Sequence, residues 1–229
     1  MKRWARAAVA VALAAAGAGP AGKVAAGLPR TVAAGAPPLA AAAAAPAPSV
    51  IDDFEAIGAW SAHPADGVEM RLSTDSGAHG RALRIDFRFV RGGGYAIARR
   101  EVSLDLPERY AFSFRVLGDC SPQDLEFKLV DSTGENVWWC NRRGFEYPRE
   151  WRTLVTKRRQ IQFAWGPAGG GDVHHVAAIE IAITAGTGGQ GTVWLDDLEL
   201  RELPPPRDIP PVAHASSWRP GHGPGLDRA

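Results

Sequence analysis

The sequence predicts an all-β fold, an antiparallel β-sandwich, and two observations support this prediction. First, several segments alternate apolar with polar residues, a pattern that places one face of a strand in the core and the other in water. Second, Gly-rich or Ser/Thr-rich turns separate these segments, so that roughly ten short strands fit in the folded part. No segment there has a helical period long enough for a βαβ unit. We therefore predict one β-sandwich domain over residues 50–203.

Five segments carry the alternation. In residues 83–89 the odd positions are apolar and the even positions are charged. A similar alternation recurs in four further segments, at residues 110–116, 125–129, 179–183 and 192–200. Turn signals lie between them at residues 76–77, 92–94, 132–134, 169–171 and 188–189. Each segment is therefore predicted to be a strand with one buried and one solvated face.

The first 26 residues (1–26) are predicted to be a signal peptide. Lys2, Arg3 and Arg6 supply the positive start, and residues 7–16 form the apolar stretch before a run of small residues. This stretch is shorter than the roughly 20 apolar residues that a transmembrane helix needs. We therefore expect a secreted or periplasmic protein. It would be attached to a membrane only if the signal segment were not cleaved.

Residues 27–49 are predicted to be an Ala/Pro-rich disordered linker, because they lack the large apolar residues that a core needs. An alanine helix is the competing interpretation. Four prolines, at positions 37, 38, 46 and 48, interrupt such a helix and favour the linker.

Charge and cysteine content exclude several classes of function. The formal net charge is +1, so the chain lacks the basic field that nucleic-acid binding requires. Cys120 and Cys140 do not form a Cys-x-x-Cys pair, which argues against thiol redox chemistry and zinc. The two cysteines could form one disulfide or remain unrelated thiols, and the sequence leaves both alternatives open.

Three segments of the predicted sandwich resemble the jelly-roll carbohydrate-binding modules, which have a galactose-binding-like architecture. Residues 51–55, Ile-Asp-Asp-Phe-Glu, with Trp60 after them, resemble the first strand of such modules. Residues 191–200 resemble the last strand, and Trp151 with the stretch after it resembles a strand that follows a ligand-side loop. The resemblance implies a jelly-roll sandwich that binds carbohydrate.

Two further likenesses point to a longer protein. Residues 125–143, together with 163–167, resemble an accessory domain that precedes discoidin domains in some bacterial glycan-degrading proteins. In the tail, residues 215–217, 220–221, 224 and 226–227 resemble the first strand of a discoidin domain, also called a coagulation factor 5/8 type C domain. Residues 204–229 are accordingly expected to hold a Pro-rich linker and the truncated start of a discoidin-like domain; an ordinary disordered tail is the alternative.

Catalytic motifs are missing from the sequence. Retaining glycosidases need two carboxylates about 5 Å apart, whereas Glu101, Asp105 and Glu108 are spaced by four and three residues and would not line up on one strand face. There is no Gly-x-Ser-x-Gly elbow and no phosphate-binding loop. His174 and His175 are expected to lie in a solvated loop. We therefore predict that this chain is not an enzyme.

Residues 136–142 contain the combination that sugar binding needs, a flat aromatic ring beside polar side chains. Adjacent tryptophans on a strand face opposite ways, and we expect Trp138 to face outward because Asn136 shares its face whereas Val137 shares the face of Trp139. The preceding strand would present further polar groups. The predicted sugar-binding residues are Trp138, Glu126, Lys128, Asn136, Arg142 and Arg99, with Arg84, Asp86 and Arg88 as possible additions to the same face.

The resemblance also implies one structural calcium ion between the first and last strands. Calcium takes several oxygen ligands at about 2.3–2.6 Å. Glu55 from the first strand, with Asp196 or Asp197 from the last, could supply carboxylates. Because consecutive residues on a strand face opposite ways, at most one aspartate is expected to be a ligand unless the strand bulges.

The sequence thus favours a monomeric, non-catalytic module that binds a polysaccharide and targets a glycan-degrading enzyme. The alternative is a structural or protein-interaction domain at the cell surface that binds no sugar. A flat sheet face with Trp138 outward would favour sugar binding. A face filled by packed side chains would favour the structural domain.

Overall fold

A computed structural model describes residues 47–206. The predicted signal peptide, nearly all of the predicted N-terminal linker and the predicted discoidin-like start lie outside the described residues. Twelve strands and one short 3₁₀ helix, Arg158–Gln160, make up the described part. The strands are β1 (Ser49–Asp52), β2 (Trp60–Pro64), β3 (Val68–Ser76), β4 (Arg81–Phe89), β5 (Tyr95–Asp105), β6 (Tyr110–Asp119), β7 (Gln123–Val130), β8 (Val137–Phe145), β9 (Arg152–Lys157), β10 (Gln162–Trp165), β11 (His175–Thr184) and β12 (Gly189–Glu202).

The strands form two six-stranded antiparallel sheets. Sheet I has the order β3-β4-β12-β6-β9, and β1 also pairs with β12. Sheet II has the order β10-β8-β7-β11-β5-β2. All five predicted strand segments lie within observed strands, and the predicted antiparallel β-sandwich is confirmed.

The core lies between the two sheets. Phe112 and Phe114 on β6 of sheet I pack against Phe127 on β7 of sheet II, with ring centroids 5.0 and 5.9 Å apart. All three rings are at most 1% exposed. Burying a side chain of this size stabilises the fold by about 1.5–3 kcal/mol, so these rings are a main link between the sheets.

The start of the domain is fixed by a buried carboxylate, Asp52. Its Oδ2 accepts a 2.7 Å hydrogen bond from the Trp60 indole, and its Oδ1 accepts a 2.8 Å bond from the Phe54 amide. Asp52 also pairs with Arg100 of sheet II. The tight turn places Phe54 at a φ of 55°, which is unusual for a residue with a side chain. These contacts tie β1 to the opposite sheet.

Cys120 and Cys140 are free thiols in the structure, with Cys120 half-buried and Cys140 buried. Burial raises the pKa of Cys120 to about 11, so this thiol stays protonated at neutral pH. Within residues 47–206 we find no helix with the length and apolarity to span a membrane.

Candidate functional site

Strand β7 presents two oppositely charged side chains on the outer face of sheet II, the face turned away from the core. Leu125, Phe127 and Leu129 alternate with them and are completely buried in the core. Glu126 and Lys128 therefore point outward, as predicted. Their side chains are nevertheless only 7% and 6% exposed, and Lys128 Nζ lies 2.8 Å from Glu126 Oε2. A charged pair buried on an outward face means that other side chains cover it.

The strand register extends this pair into a row across three strands. Lys128 lies opposite Glu180 on β11, and Glu180 lies opposite Arg99 on β5. Arg99 Nη1 donates a 2.7 Å hydrogen bond to Glu180 Oε1, and Arg99 Nε donates a 2.8 Å bond to Glu101 Oε1. We call Glu126, Lys128, Glu180 and Arg99 the charged ladder.

Neighbouring carboxylates keep Arg99 charged. Burial opposes the charge of Arg99, but its hydrogen bonds to Glu101 and Glu180 outweigh this effect and raise the pKa of its guanidinium. Charge-assisted hydrogen bonds of this kind hold side chains in a defined geometry. The ladder is therefore a row of fixed hydrogen-bonding groups.

Three aromatic side chains flank the ladder. The Lys128 ammonium lies 5.4 Å from the ring centroid of Trp165 and 5.9 Å from that of Tyr95. Trp139, directly opposite Lys128 on β8, packs edge-on against Trp165 at 5.6 Å. Trp165 is 46% exposed and Tyr95 is 42% exposed. We call Trp139, Trp165 and Tyr95 the aromatic flank; it covers the ladder while leaving ring surface open to solvent.

The prediction that Trp138 faces outward is wrong. Trp138 is 6% exposed and lies on the core side, where its ring packs edge-on against Phe163 at 5.4 Å. Its indole N–H donates a 2.7 Å hydrogen bond to the Gly171 carbonyl. The alternation along β8 instead turns Trp139 outward, so the expected solvent-facing tryptophan is present but is the neighbouring residue.

Asn136 and Arg142 also lie away from the ladder. Asn136 precedes β8, and its side chain donates to Asp131 and accepts from the Ala168 amide, which closes the adjoining loops. Arg142 lies on the same side of β8 as Trp138 and donates to Thr156 on sheet I at 2.9 Å. The prediction that these two side chains share the sugar-facing surface is therefore wrong.

Three charged residues proposed for the same surface belong to the other sheet. Arg84, Asp86 and Arg88 lie on β4 of sheet I. Arg84 there bonds Asp86 at 2.8 Å and stacks on Trp194 at 5.4 Å. Of the predicted polar residues, the structure thus brings Glu126, Lys128 and Arg99 together and separates the others.

Sequence reasoning missed Glu180 and the whole aromatic flank. Glu180 interrupts the apolar run of residues 176–183, and this exception could have marked it as facing the same way as Lys128. The position of Trp139 follows from the register of the β7–β8 pair, in which it lies opposite Lys128. Trp165 and Tyr95 come from strands distant in sequence, and no local pattern indicates that they meet.

The calcium candidates gather at the turn of residues 77–80. Asp196 is completely buried; its Oδ2 accepts a 2.9 Å bond from the His79 amide, and its Oδ1 accepts a 2.8 Å bond from the Asp197 amide. Glu55 Oε1 accepts a 2.9 Å bond from the Arg81 amide, at the other end of this turn. The carboxylate of Glu55, three residues after β1, and that of Asp196 on β12 therefore reach the same turn.

The two aspartates have different surroundings. Burial raises the pKa of Asp196, and its hydrogen bonds from backbone amides only partly offset this effect. Asp197, with a φ of 49° beside a bulge in β12, pairs with Arg115 at 2.9 Å and also contacts His79 Nδ1 of the same turn at 2.8 Å. Within residues 47–206 no three His, Cys, Asp or Glu side chains are grouped closely enough to hold a metal ion, so any cation at this turn would also need backbone carbonyls or water.

No protein-family profile matches the sequence, and no curated protein matches it. Several solved structures are similar to this chain. A family 11 carbohydrate-binding module of a cellulosomal cellulase of Clostridium thermocellum is 16% identical, with a TM-score of 0.55 over 69% of this chain and 95% of that one. A Clostridium thermocellum family 11 module in complex with a β-1,3-1,4-mixed-linked tetrasaccharide is 18% identical, with a TM-score of 0.54 over 67% of this chain and 94% of that one. The described residues therefore share the jelly-roll β-sandwich fold of these modules.

Proposed function

We propose that the outer face of sheet II binds a polysaccharide and that the domain is a non-catalytic carbohydrate-binding module. The observation that carries this proposal is the charged ladder enclosed by the aromatic flank. A sugar ring has apolar faces that stack on aromatic rings and a rim of hydroxyls that need hydrogen-bond partners. The rings of Trp139, Trp165 and Tyr95 supply the stacking surface. The ladder carboxylates and Arg99 supply the hydrogen-bond partners.

The arrangement of hydrogen bonds also supports binding. Asn141, the next outward-facing residue after Trp139 on β8, lies opposite Glu126. Its Oδ1 is buried and has no hydrogen-bond partner within residues 47–206. An unsatisfied acceptor beside a fixed charged row is a place where a sugar hydroxyl or a water could donate. The face therefore combines ring surface with hydrogen-bonding capacity.

We propose mixed-linked β-glucan as the first ligand to test, because a structural neighbour was solved with a β-1,3-1,4-mixed-linked tetrasaccharide. Retardation in native gels containing the polysaccharide measures binding directly. The informative variant is Trp139→Ala/Trp165→Ala, which removes most of the aromatic flank. Trp194→Ala is the matched control, since it removes a tryptophan from the outer face of sheet I.

Loss of buried aromatic contacts in a binding site weakens affinity by about tenfold or more. We expect this loss for Trp139→Ala/Trp165→Ala and unchanged retardation for Trp194→Ala. Equal retardation of wild type and the double variant would contradict the assignment of the face. If wild type binds none of the glycans on a broad array, the structural or protein-interaction function becomes the better explanation.

A structural calcium ion is a second, separate proposal. A Cβ added at Gly77 would lie 2.6 Å from Asp196 Oδ2, and one added at Gly80 would overlap the Glu55 carboxylate, so these glycines leave room for both side chains. A buried carboxylate without a cationic partner fits a divalent cation with carbonyl oxygens from the turn. Calcium should raise the melting temperature, and Asp196→Asn should remove that response; a melting temperature indifferent to calcium and chelator argues against the site.

We also propose that the module is exported, acts as a monomer and targets a glycan-degrading enzyme. Residues 1–26 support export through their basic and apolar composition. Secretion of a reporter fused to these residues in a bacterial host tests the localisation, and retention of the reporter in the cytoplasm would contradict it.

A further inference from the structure

A second concave region lies at the edge where the β5–β6 turn, the 3₁₀ helix and the end of β12 meet. It is a cavity of about 510 Å³, within the range of small-ligand sites. None of its lining residues belongs to the charged ladder or the aromatic flank. The charged residues in its wall are Glu108, Arg109, Lys157, Arg158, Arg159 and Asp172.

The wall has more positive than negative charge, with four basic and two acidic side chains. Arg158 is neutralised by Asp172. Arg109 donates a 3.0 Å hydrogen bond to the Pro204 carbonyl, which orients the guanidinium without cancelling its charge. Lys157 and Arg159 are exposed and make no ion pair within residues 47–206. The cavity therefore offers three cations, against the single carboxylate of Glu108.

The wall of the cavity also contains a tyrosine. Tyr110 lines the cavity, is only 2% exposed, and packs its ring edge-on against Phe112 at 5.6 Å. Its hydroxyl makes no hydrogen bond within the described part of the chain. Burial raises the pKa of Tyr110 to about 12, so the phenol keeps its proton and can donate at neutral pH. The cavity therefore combines a phenolic donor with its basic side chains.

We propose that this cavity binds the carboxylate or sulfate group of an acidic saccharide. Arg109, Lys157 and Arg159 pair with the anion, and the Tyr110 hydroxyl donates to it or to an adjacent sugar oxygen. A chain with a net charge of +1 lacks the extended basic surface of a nucleic-acid binder, whereas a confined basic cavity suits one charged substituent. This site is independent of the outer face of sheet II.

Native gel retardation with three polysaccharides tests the proposal. Polygalacturonate carries carboxylates, dextran sulfate carries sulfates, and dextran is the uncharged counterpart. The main variant is Lys157→Gln/Arg159→Gln. Its charge-matched control is Arg71→Gln/Arg91→Gln, two exposed arginines away from the cavity.

We expect wild type to bind at least one acidic polysaccharide and not dextran. Loss of hydrogen bonds to a charged group should weaken the affinity of Lys157→Gln/Arg159→Gln by about tenfold or more. The control should bind like wild type. Tyr110→Phe, which keeps the buried ring, should bind more weakly at an unchanged melting temperature.

Three results would overturn the proposal. One is absence of binding to both acidic polysaccharides, and the second is an equal loss in Arg71→Gln/Arg91→Gln, which would indicate only general charge attraction. The third is loss of acidic binding in Trp139→Ala/Trp165→Ala, which would place the ligand on the outer face of sheet II. Because mixed-linked β-glucan is uncharged, its binding and that of the acidic polysaccharides can fail independently.

Discussion

Lys128→Met tests how the charged ladder is held. The Lys128 ammonium lies 2.8 Å from Glu126 Oε2, and both side chains are nearly inaccessible to solvent. Methionine keeps the length and apolar stem of lysine but removes its charge. The variant therefore leaves the Glu126 carboxylate buried beneath the aromatic flank without its cation.

The expected loss follows from this burial. Breaking a buried ion pair by removing one partner costs about 3–5 kcal/mol. The ladder lies on an outward face, where water can partly replace the lost ammonium, so we expect the lower value, about 3 kcal/mol. For a domain of this size each kcal/mol shifts the melting temperature by about 2–4 °C, and the expected fall is about 6–12 °C.

Urea unfolding followed by circular dichroism, with thermal melts in parallel, measures this loss. The double variant Lys128→Met/Glu126→Gln is the control, because replacing both partners by neutral groups of similar size is close to neutral in free energy. It should recover most of the stability. A loss below about 1 kcal/mol, the value typical of an exposed pair, would refute the reasoning, as would a double variant no more stable than Lys128→Met.

Three other outcomes are expected. Hydrogen bonding to Arg84 lowers the pKa of Asp86 below the ordinary carboxyl value of 3.8. The stability that ionised Asp86 gives the fold is therefore fully present above pH 3.8 and is lost as the pH falls through the lowered pKa. Asp86→Asn should therefore be less stable than wild type at pH 7 and approach it in acid melts; a constant difference would contradict this. Gly191→Ala should destabilise the fold by about 1–3 kcal/mol in urea, since the new methyl group would overlap Cys120; an unchanged midpoint would show that the strands adjust. Trp138→Phe removes the indole bond to a backbone carbonyl and should cost about 1 kcal/mol without affecting glycan binding; weakened binding would return this residue to the site.

The strands were predictable because period-two alternation reports directly which side chains are buried. In residues 83–89 of β4 and 125–129 of β7 the alternating apolar positions of the sequence are core positions of the structure. The order of strands within each sheet was not predictable, because it depends on pairing between distant segments. Nothing local in residues 189–202, for example, indicates that β12 lies between β4 and β6.

The tryptophan pair shows why a face can be assigned wrongly. Asn136 was expected to mark the polar face of β8, but it precedes the strand and its polarity serves a turn. Val137 was expected to mark the core face, yet it lies on the outer face in a small apolar cluster with Val130 and Ala178. The polarity of a residue next to a turn thus reflects the hydrogen bonds of the turn. It is a poor guide to which face of the following strand is buried.

The composition of the site was only partly predictable. Glu126 and Lys128 were placed correctly on the outward side of β7, because their apolar neighbours fix that strand. Their burial depends on Trp165 and Tyr95, which arrive from β10 and β5. The sequence therefore indicates which groups are available but not which of them meet. The roles of Glu126, Lys128 and Arg99 in sugar binding remain predictions.

The position of β12 has a consequence for how the protein is made. This strand pairs with β1, β4 and β6 and contributes Val193, Leu195 and Leu198 to the core. While the chain emerges from the ribosome, β4 and β6 lack the strand that joins them. They can be joined only after β12 has been released. Sheet I must then close by pairing its first and last strands, across nearly the whole domain, and such long-range closure is slow. Folding of sheet I is therefore expected to wait until β12 has left the ribosome, with open strand edges for chaperones to protect in the interval.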